Sequence, residues 1–155
     1  MAESPLTVRP YRSTDHDAVM ALADRLSIGV APWRDPSAVA GAVRSWVAGS
    51  IEGIDPEDSP VFVAADARDL VGFVSCGRRA HWTGESDAYV GELVVAEPAQ
   101  GRGVARALMS AAEDWARQGG VRRLTIETGA ANDGARAFYA AIGYAEEEVV
   151  LSRGL

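Results

Sequence analysis

A mixed-sheet α/β domain is the fold this sequence predicts, and three observations point to it. Short apolar runs rich in Val, Phe and Ile alternate with longer amphipathic runs of helical spacing. Two strand-like runs, 61–65 and 70–77, are joined only by Asp66-Ala67-Arg68-Asp69, a hairpin-length link. The later strand-like runs are separated by amphipathic stretches long enough to be crossover helices. The expected order is β-α-α-β-β-β-α-β-α-β, in one domain over residues 1–155.

Each element has a local cause. Residues 6–9 read as a short first strand. Thr14 and Asp15 offer N-cap oxygens, and Val19, Leu22, Ala23 and Leu26 then recur at helical spacing. Residues 27–34, with Gly29, Pro32 and Trp33, form a loop. Asp35-Pro36 is a cap followed by proline at the first helical position, and Val39, Val43, Trp46 and Val47 supply that helix's apolar face. Residues 49–60 form a loop of glycine, proline and acids. The hairpin follows, then a polar loop over 78–87 and a strand over 88–95. Residues 103–118 form a helix with Val104, Leu108, Ala111 and Trp115 on one side, stopped by Gly119-Gly120. Residues 123–128 alternate as a strand. Asn132 or Asp133 caps a last helix carrying Ala135, Phe138, Tyr139 and Ile142, Gly143 stops it, and residues 144–152 form a final strand.

Composition narrows the function. Apolar residues make up 48% of the 155, enough for a buried core, and charged residues 24%, which argues against disorder. The net charge of −7 repels polyanions, so a nucleic-acid partner is not expected. The single cysteine, Cys76, sits in an apolar run and reads as a small core residue. No signal peptide is visible at the start, and no apolar run approaches the roughly 20 residues of a bilayer span. A soluble cytoplasmic protein without a membrane partner is the expectation. His16 and His81 lack paired ligand spacing, so no metal site is expected.

The most informative stretch is Gln100-Gly101-Arg102-Gly103-Val104-Ala105-Arg106, between a strand and the start of a helix. Small side chains let backbone N–H groups approach an anion, and the first N–H groups of a helix have no partner within it. The stretch therefore reads as a phosphate loop, with Arg102 and Arg106 as added donors. A P-loop requires a lysine, and the chain has none. A dinucleotide fingerprint requires a third glycine where Arg106 stands, and would lie in the first strand–helix unit.

The pattern Gln/Arg-x-x-Gly-x-Gly/Ala is met by Gln100, Gly103 and Ala105. Upstream stands Glu92-Leu93-Val94-Val95-x-x-Pro98, and downstream Asn132-x-x-Ala135-x-x-Phe138-Tyr139-x-x-x-Gly143-Tyr144. In this order and spacing the set resembles the GNAT superfamily of N-acetyltransferases. The specific motifs cover about residues 89–144, and element order extends the likeness over nearly the whole chain. The resemblance implies acetyl-CoA as co-substrate, with its pyrophosphate on the amides of residues 100–106, including Gly101 and Val104. It implies that backbone groups of Leu93, Val94 and Val95 line the pantetheine arm, that Asn132 binds it from the other side, and that Tyr139 lies near the sulfur. It also admits a homodimer.

Acetyl transfer to an amine needs a proton acceptor, because a free alkylamine has a pKa near ~10. Glu92, beside the strand segment expected to hold the thioester, is the first candidate base, and Glu127, five residues before Asn132, is the second. A strand N–H near Val94 would stabilise the developing oxyanion. Tyr139 would protonate the departing thiolate; it also belongs to an apolar helical stripe and reads equally as core packing. Asn132 could be only a helix cap.

The acceptor is expected among the loops, where Trp33, His81 and Trp82 are the candidate lining residues, helped by Glu85 and Asp87. A small-molecule amine is the first expectation, and a peptide N-terminus or lysine the next. A catalytically silent acyl-CoA-binding sensor is the rival of another class.

Overall fold

The computed structural model describes residues 5–67 and 69–155; Arg68 of the hairpin link lies outside the described residues. Strands β1 (Thr7–Pro10), β2 (Val61–Ala65), β3 (Leu70–Ala80), β4 (Ser86–Val95) and β5 (Leu124–Ile126) form one sheet in sequence order. The first four pair antiparallel, and β5 runs parallel to β4. Helices α1 (His16–Leu22), α2 (Pro36–Glu52), α3 (Val104–Gln118) and α4 (Asp133–Ala141) complete the mixed α/β fold. The fold class and the order of elements through α4 are those the sequence predicts.

Two cores lie on opposite faces of the sheet. Val61, Val63, Phe73 and Val94 meet Val19, Ala23 and Val47 of the α1–α2 side. Val74, Ala88 and Val90 meet Leu108, Met109, Ala112 and Trp115 of α3 on the other, where Phe138, Tyr139 and Ile142 of α4 also pack. Gly72 permits the close approach of α3: a Cβ there would lie 2.7 Å from the Val94 carbonyl oxygen and 3.1 Å from Leu108.

Local chemistry explains most boundaries. Asp35 caps α2, its Oδ2 accepting from the Ala38 N–H at 2.7 Å. Asp15 precedes α1 without capping it; its carboxylate accepts instead from Arg9 at 2.7 and 2.8 Å and from the Arg12 N–H at 2.8 Å. Asn132 caps α4, its Oδ1 accepting from the Ala135 N–H at 3.1 Å.

Two expectations change. Arg78, Arg79 and Ala80 belong to β3, and Ser86 and Asp87 to β4, so the loop expected over 78–87 shrinks to 81–85. Arg79 is held in the strand by stacking over Tyr89 and by bonding Glu127 at 2.7 Å. The final strand over 144–152 is not formed: Val149, Val150 and Leu151 are 72, 91 and 88% exposed. The edge it would join, β5, is three residues long, and Glu146, Glu147 and Glu148 bring three like charges to it. Glu146 pairs with Arg136 instead.

Candidate active site

A bulge in β4 builds the centre of the site. Val74 pairs with Leu93 and Cys76 with Val90, so Ser75 of β3 stands opposite two residues, Gly91 and Glu92. The extra residue reverses the alternation of faces along β4. Val90 and Ala88 face α3, whereas Val94 faces α1 and α2. Glu92 follows the parity of Val94 and is turned toward α2. A Cβ at Gly91 would lie 2.8 Å from Ser75 Oγ, so only glycine fits beside that hydroxyl.

Glu92 is 6% exposed, and its charge is met by hydroxyls rather than cations. Ser50 of α2 donates to its Oε2 at 2.9 Å, and Ser75 donates to the same oxygen. Ser75 Oγ in turn accepts from the Glu92 N–H at 2.9 Å. One carboxylate oxygen is thus fixed by two donors, and Oε1 is left for a further partner.

The carboxylate opens into a cavity of about 500 Å3 between α2 and the sheet, lined also by Trp46, Gly49, Tyr89 and Glu127. Glu127 contributes little free charge there, because its Oε1 accepts from Arg79 at 2.7 Å. Cys76 borders the cavity as an inert neighbour: burial, reinforced by the Glu92 charge, pushes its thiol up to about 12. Trp33 and Trp82 are 69 and 84% exposed and, with His81, lie outside this lining. His81 is engaged in its own turn, with Nδ1 2.7 Å from Thr83 Oγ1.

The glycine loop lies beyond the other end of β4. Gly101 and Gly103 have φ of 75° and 79°, and a Cβ at either would meet nothing within 4 Å. The turn is therefore left-handed and open. The first i→i−4 bond of α3 runs from the Ala107 N–H to the Gly103 carbonyl at 3.0 Å, so the N–H groups of Val104, Ala105 and Arg106 have no helical acceptor. Arg106 is exposed, and Arg102 lies 3.6 Å from Asp66.

Between loop and carboxylate, β4 has an open edge. β5 pairs only with Ala88, Tyr89 and Val90. The Ala96 N–H bonds the Val71 carbonyl, so alternation turns the backbone groups of Val94 toward β3 and those of Leu93 and Val95 toward the open side. The Val95 carbonyl accepts from Arg25 Nε at 2.8 Å.

Tyr139 packs beside Phe138 and Tyr144, with ring centroids 5.2 and 5.9 Å away. Burial holds its phenol well above the ordinary value, and its hydroxyl has no protein hydrogen-bond partner among the described residues. Asn132 is committed twice: besides capping α4, its amide reaches the Ile28 carbonyl at 3.4 Å, clamping the loop before α2. Among the described residues no cluster of three or more His, Cys, Asp or Glu is placed to hold a metal, and no helix is long and apolar enough to cross a membrane.

Sequence reasoning missed Trp46, Gly49, Ser50 and Ser75. Trp46 falls on the apolar stripe of α2, yet it is 58% exposed, at the cavity rim. The i, i+3 and i+4 spacing of Trp46, Gly49 and Ser50 was the available signal.

Comparison with known proteins agrees with the fold. The chain is 32% identical over 71 residues to a Bacillus subtilis protein described as the uncharacterized N-acetyltransferase YycN, a match covering 46% of each protein; this chain spans about half the length or less of the curated relatives it matches. A Pyrococcus furiosus structure described as an acetyl transferase superposes with a TM-score of 0.77 at 18% identity, covering 97% of this chain and 100% of that one. The aminoglycoside N-acetyltransferase AAC(6')-Iy, solved in complex with CoA, superposes with a TM-score of 0.71 at 20% identity, covering 99 and 97%. The acetyltransferase (GNAT) family model matches residues 22–144, and the chain belongs to that family.

Proposed function

We propose that this protein is an N-acetyltransferase that moves an acetyl group from acetyl-CoA to the primary amine of a small molecule. The observation that carries this reading is the layout of β4. One strand presents a buried carboxylate to a cavity at Glu92, an open edge at Leu93 to Val95, and an open left-handed turn just beyond. Glu92 and Val95 are three residues apart, about 10 Å of strand, so carboxylate and edge act on neighbouring parts of one ligand.

The fit to a diphosphate-bearing thioester rests on the turn. The Gln100 N–H is bonded to the Glu97 carbonyl, so the amides of residues 101–106 would hold the diphosphate, with Arg106 beside them, and the N–H groups of Leu93 and Val95 would line the arm. When bound, acetyl-CoA supplies an electrophilic carbonyl and a thiolate leaving group. Glu92 Oε1 takes the proton of the incoming ammonium while Ser50 and Ser75 hold Oε2 in place. Glu92 is preferred over Glu127 because the latter is neutralised by Arg79 and exposed. As the amine nitrogen bonds to the acetyl carbon, an edge N–H stabilises the oxyanion; the C–S bond then breaks, the Tyr139 phenol, kept protonated by burial, gives its proton to the leaving sulfur, and the second proton of the acylated nitrogen restores the phenol by way of solvent. We assign Asn132 to clamping the loop before α2.

Calorimetry with CoA tests the turn. Gly103→Glu sets a charged side chain at a residue of φ 79° and should weaken CoA binding at least tenfold. Unchanged affinity would place the diphosphate elsewhere.

A further inference from the structure

The cavity that receives the amine does not end at Trp46. The same indole walls a second cavity of about 400 Å3, lined by Val30, Arg34, Asp35, Ala38, Val39 and Ala42. Ala38, Ala42, Trp46, Gly49 and Ser50 follow one another along α2, so the two cavities form one strip beside the helix. From Ser50 back to Val39 is eleven residues, about 16 Å of helix.

The strip is apolar between two polar ends, with Arg34 and Asp35 at the far one. Near Glu92 stand the hydroxyls of Ser50 and Ser75; along the groove stand alanine and valine side chains and the face of Trp46. Each of its carboxylates has one oxygen engaged. Asp35 Oδ2 caps α2, and Glu127 is tied to Arg79. Glu92 is the buried carboxylate of the three and the one met by hydroxyls, whereas Asp35 caps a helix and Glu127 pairs with a cation. A polycation would carry further ammonium groups past Trp46 into alanine and valine surroundings and toward the like charge of Arg34, at a desolvation and repulsion cost.

Resting on the acetyltransferase reading, we infer that the acceptor is a monoamine with an apolar body: its amine at Glu92, its aliphatic or aromatic part along Trp46, Ala42, Val39 and Val30. The groove selects against polyamines and amino sugars, whose polar bodies would lose water there without replacement.

The test measures CoA release from acetyl-CoA with n-butylamine, n-pentylamine, n-hexylamine, 2-phenylethylamine, spermidine and glucosamine. Expected is a rise in kcat/KM of about fourfold per methylene from butyl to hexyl, the selectivity of burying one CH2 group, with phenylethylamine near hexylamine and the polar amines at least tenfold below. Val39→Asp should cut the hexylamine value at least tenfold while leaving CoA affinity unchanged. The chain-length series on the unaltered protein stands even if that variant does not fold. A flat series, preference for spermidine or glucosamine, or CoA binding without transfer to any alkylamine overturns the acceptor assignment alone. Absence of CoA binding in calorimetry overturns the acetyltransferase reading, and the acceptor assignment with it.

Discussion

Ser75→Ala removes one hydroxyl and strands two groups. The hydroxyl donates to Glu92 Oε2 and accepts from the Glu92 N–H at 2.9 Å. A hydrogen bond to a charged group contributes about 1.5–3 kcal/mol, and an orphaned buried N–H costs about 1–3. Ser50 remains as a donor at 2.9 Å, so the losses overlap. About 2–3 kcal/mol of stability should go, lowering Tm by roughly 5–10 °C for a chain of this size. The carboxylate, held from one side only, should lose its fixed direction, and kcat should fall roughly tenfold to a hundredfold. Cys76, Tyr89 and Glu127 also border the cavity, with Arg79 behind Glu127. The Cys76 thiol, pushed up to about 12, stays neutral at pH 7, and Glu92→Gln, which removes the carboxylate, should lower kcat further than Ser75→Ala does. Ser75→Thr, which restores the hydroxyl, should recover both stability and rate. If Ser75→Ala loses stability alone, with kcat unmoved, Ser75 only supports the fold and does not position Glu92 for the reaction.

Three further outcomes follow from the geometry. Gly49→Leu sends a side chain into the cavity from a helical position where a Cβ meets nothing within 4 Å. It should hold or raise Tm, since glycine costs a helix about 1 kcal/mol, while raising acceptor KM at least tenfold and leaving CoA affinity intact, read by melting, kinetics and calorimetry. Tyr139→Phe should keep CoA affinity and lower kcat about a hundredfold; with the phenol held above its ordinary 10.0, the unaltered enzyme should show no alkaline loss from this group below that pH. Asp15→Ala should cost about 2 kcal/mol at pH 7 in denaturant melts, because the carboxylate accepts two bonds from Arg9. The Arg9 hydrogen bond lowers the folded-state pKa of Asp15, so this stability is present above the ordinary value of 3.8 and lost as pH falls through the lower folded value; the gap between protein and variant should close there.

The sequence by itself determined the order of elements through the last helix, the capped starts at Asp35 and at Asn132 or Asp133, and the glycine turn at 101 and 103. Periodicity, caps and left-handed glycines are local properties, written within a few residues of where they act. It also brought Glu92 forward, through its neighbours along one strand. Only the tertiary structure decided where Glu92 points and what surrounds it. The bulge that turns it toward α2 exists only in the pairing of β4 with Ser75, seventeen residues earlier, and its second hydroxyl arrives from Ser50, on a helix packed across the sheet. The same holds for Trp46, whose place in an apolar stripe says core, and whose exposure at a cavity rim is set by what α2 packs against. The missing final strand has the same cause: residues 144–152 carry the right pattern, but a strand needs an edge, and β5 is three residues long. Long-range pairing sets faces and edges, and no window of neighbouring residues contains it.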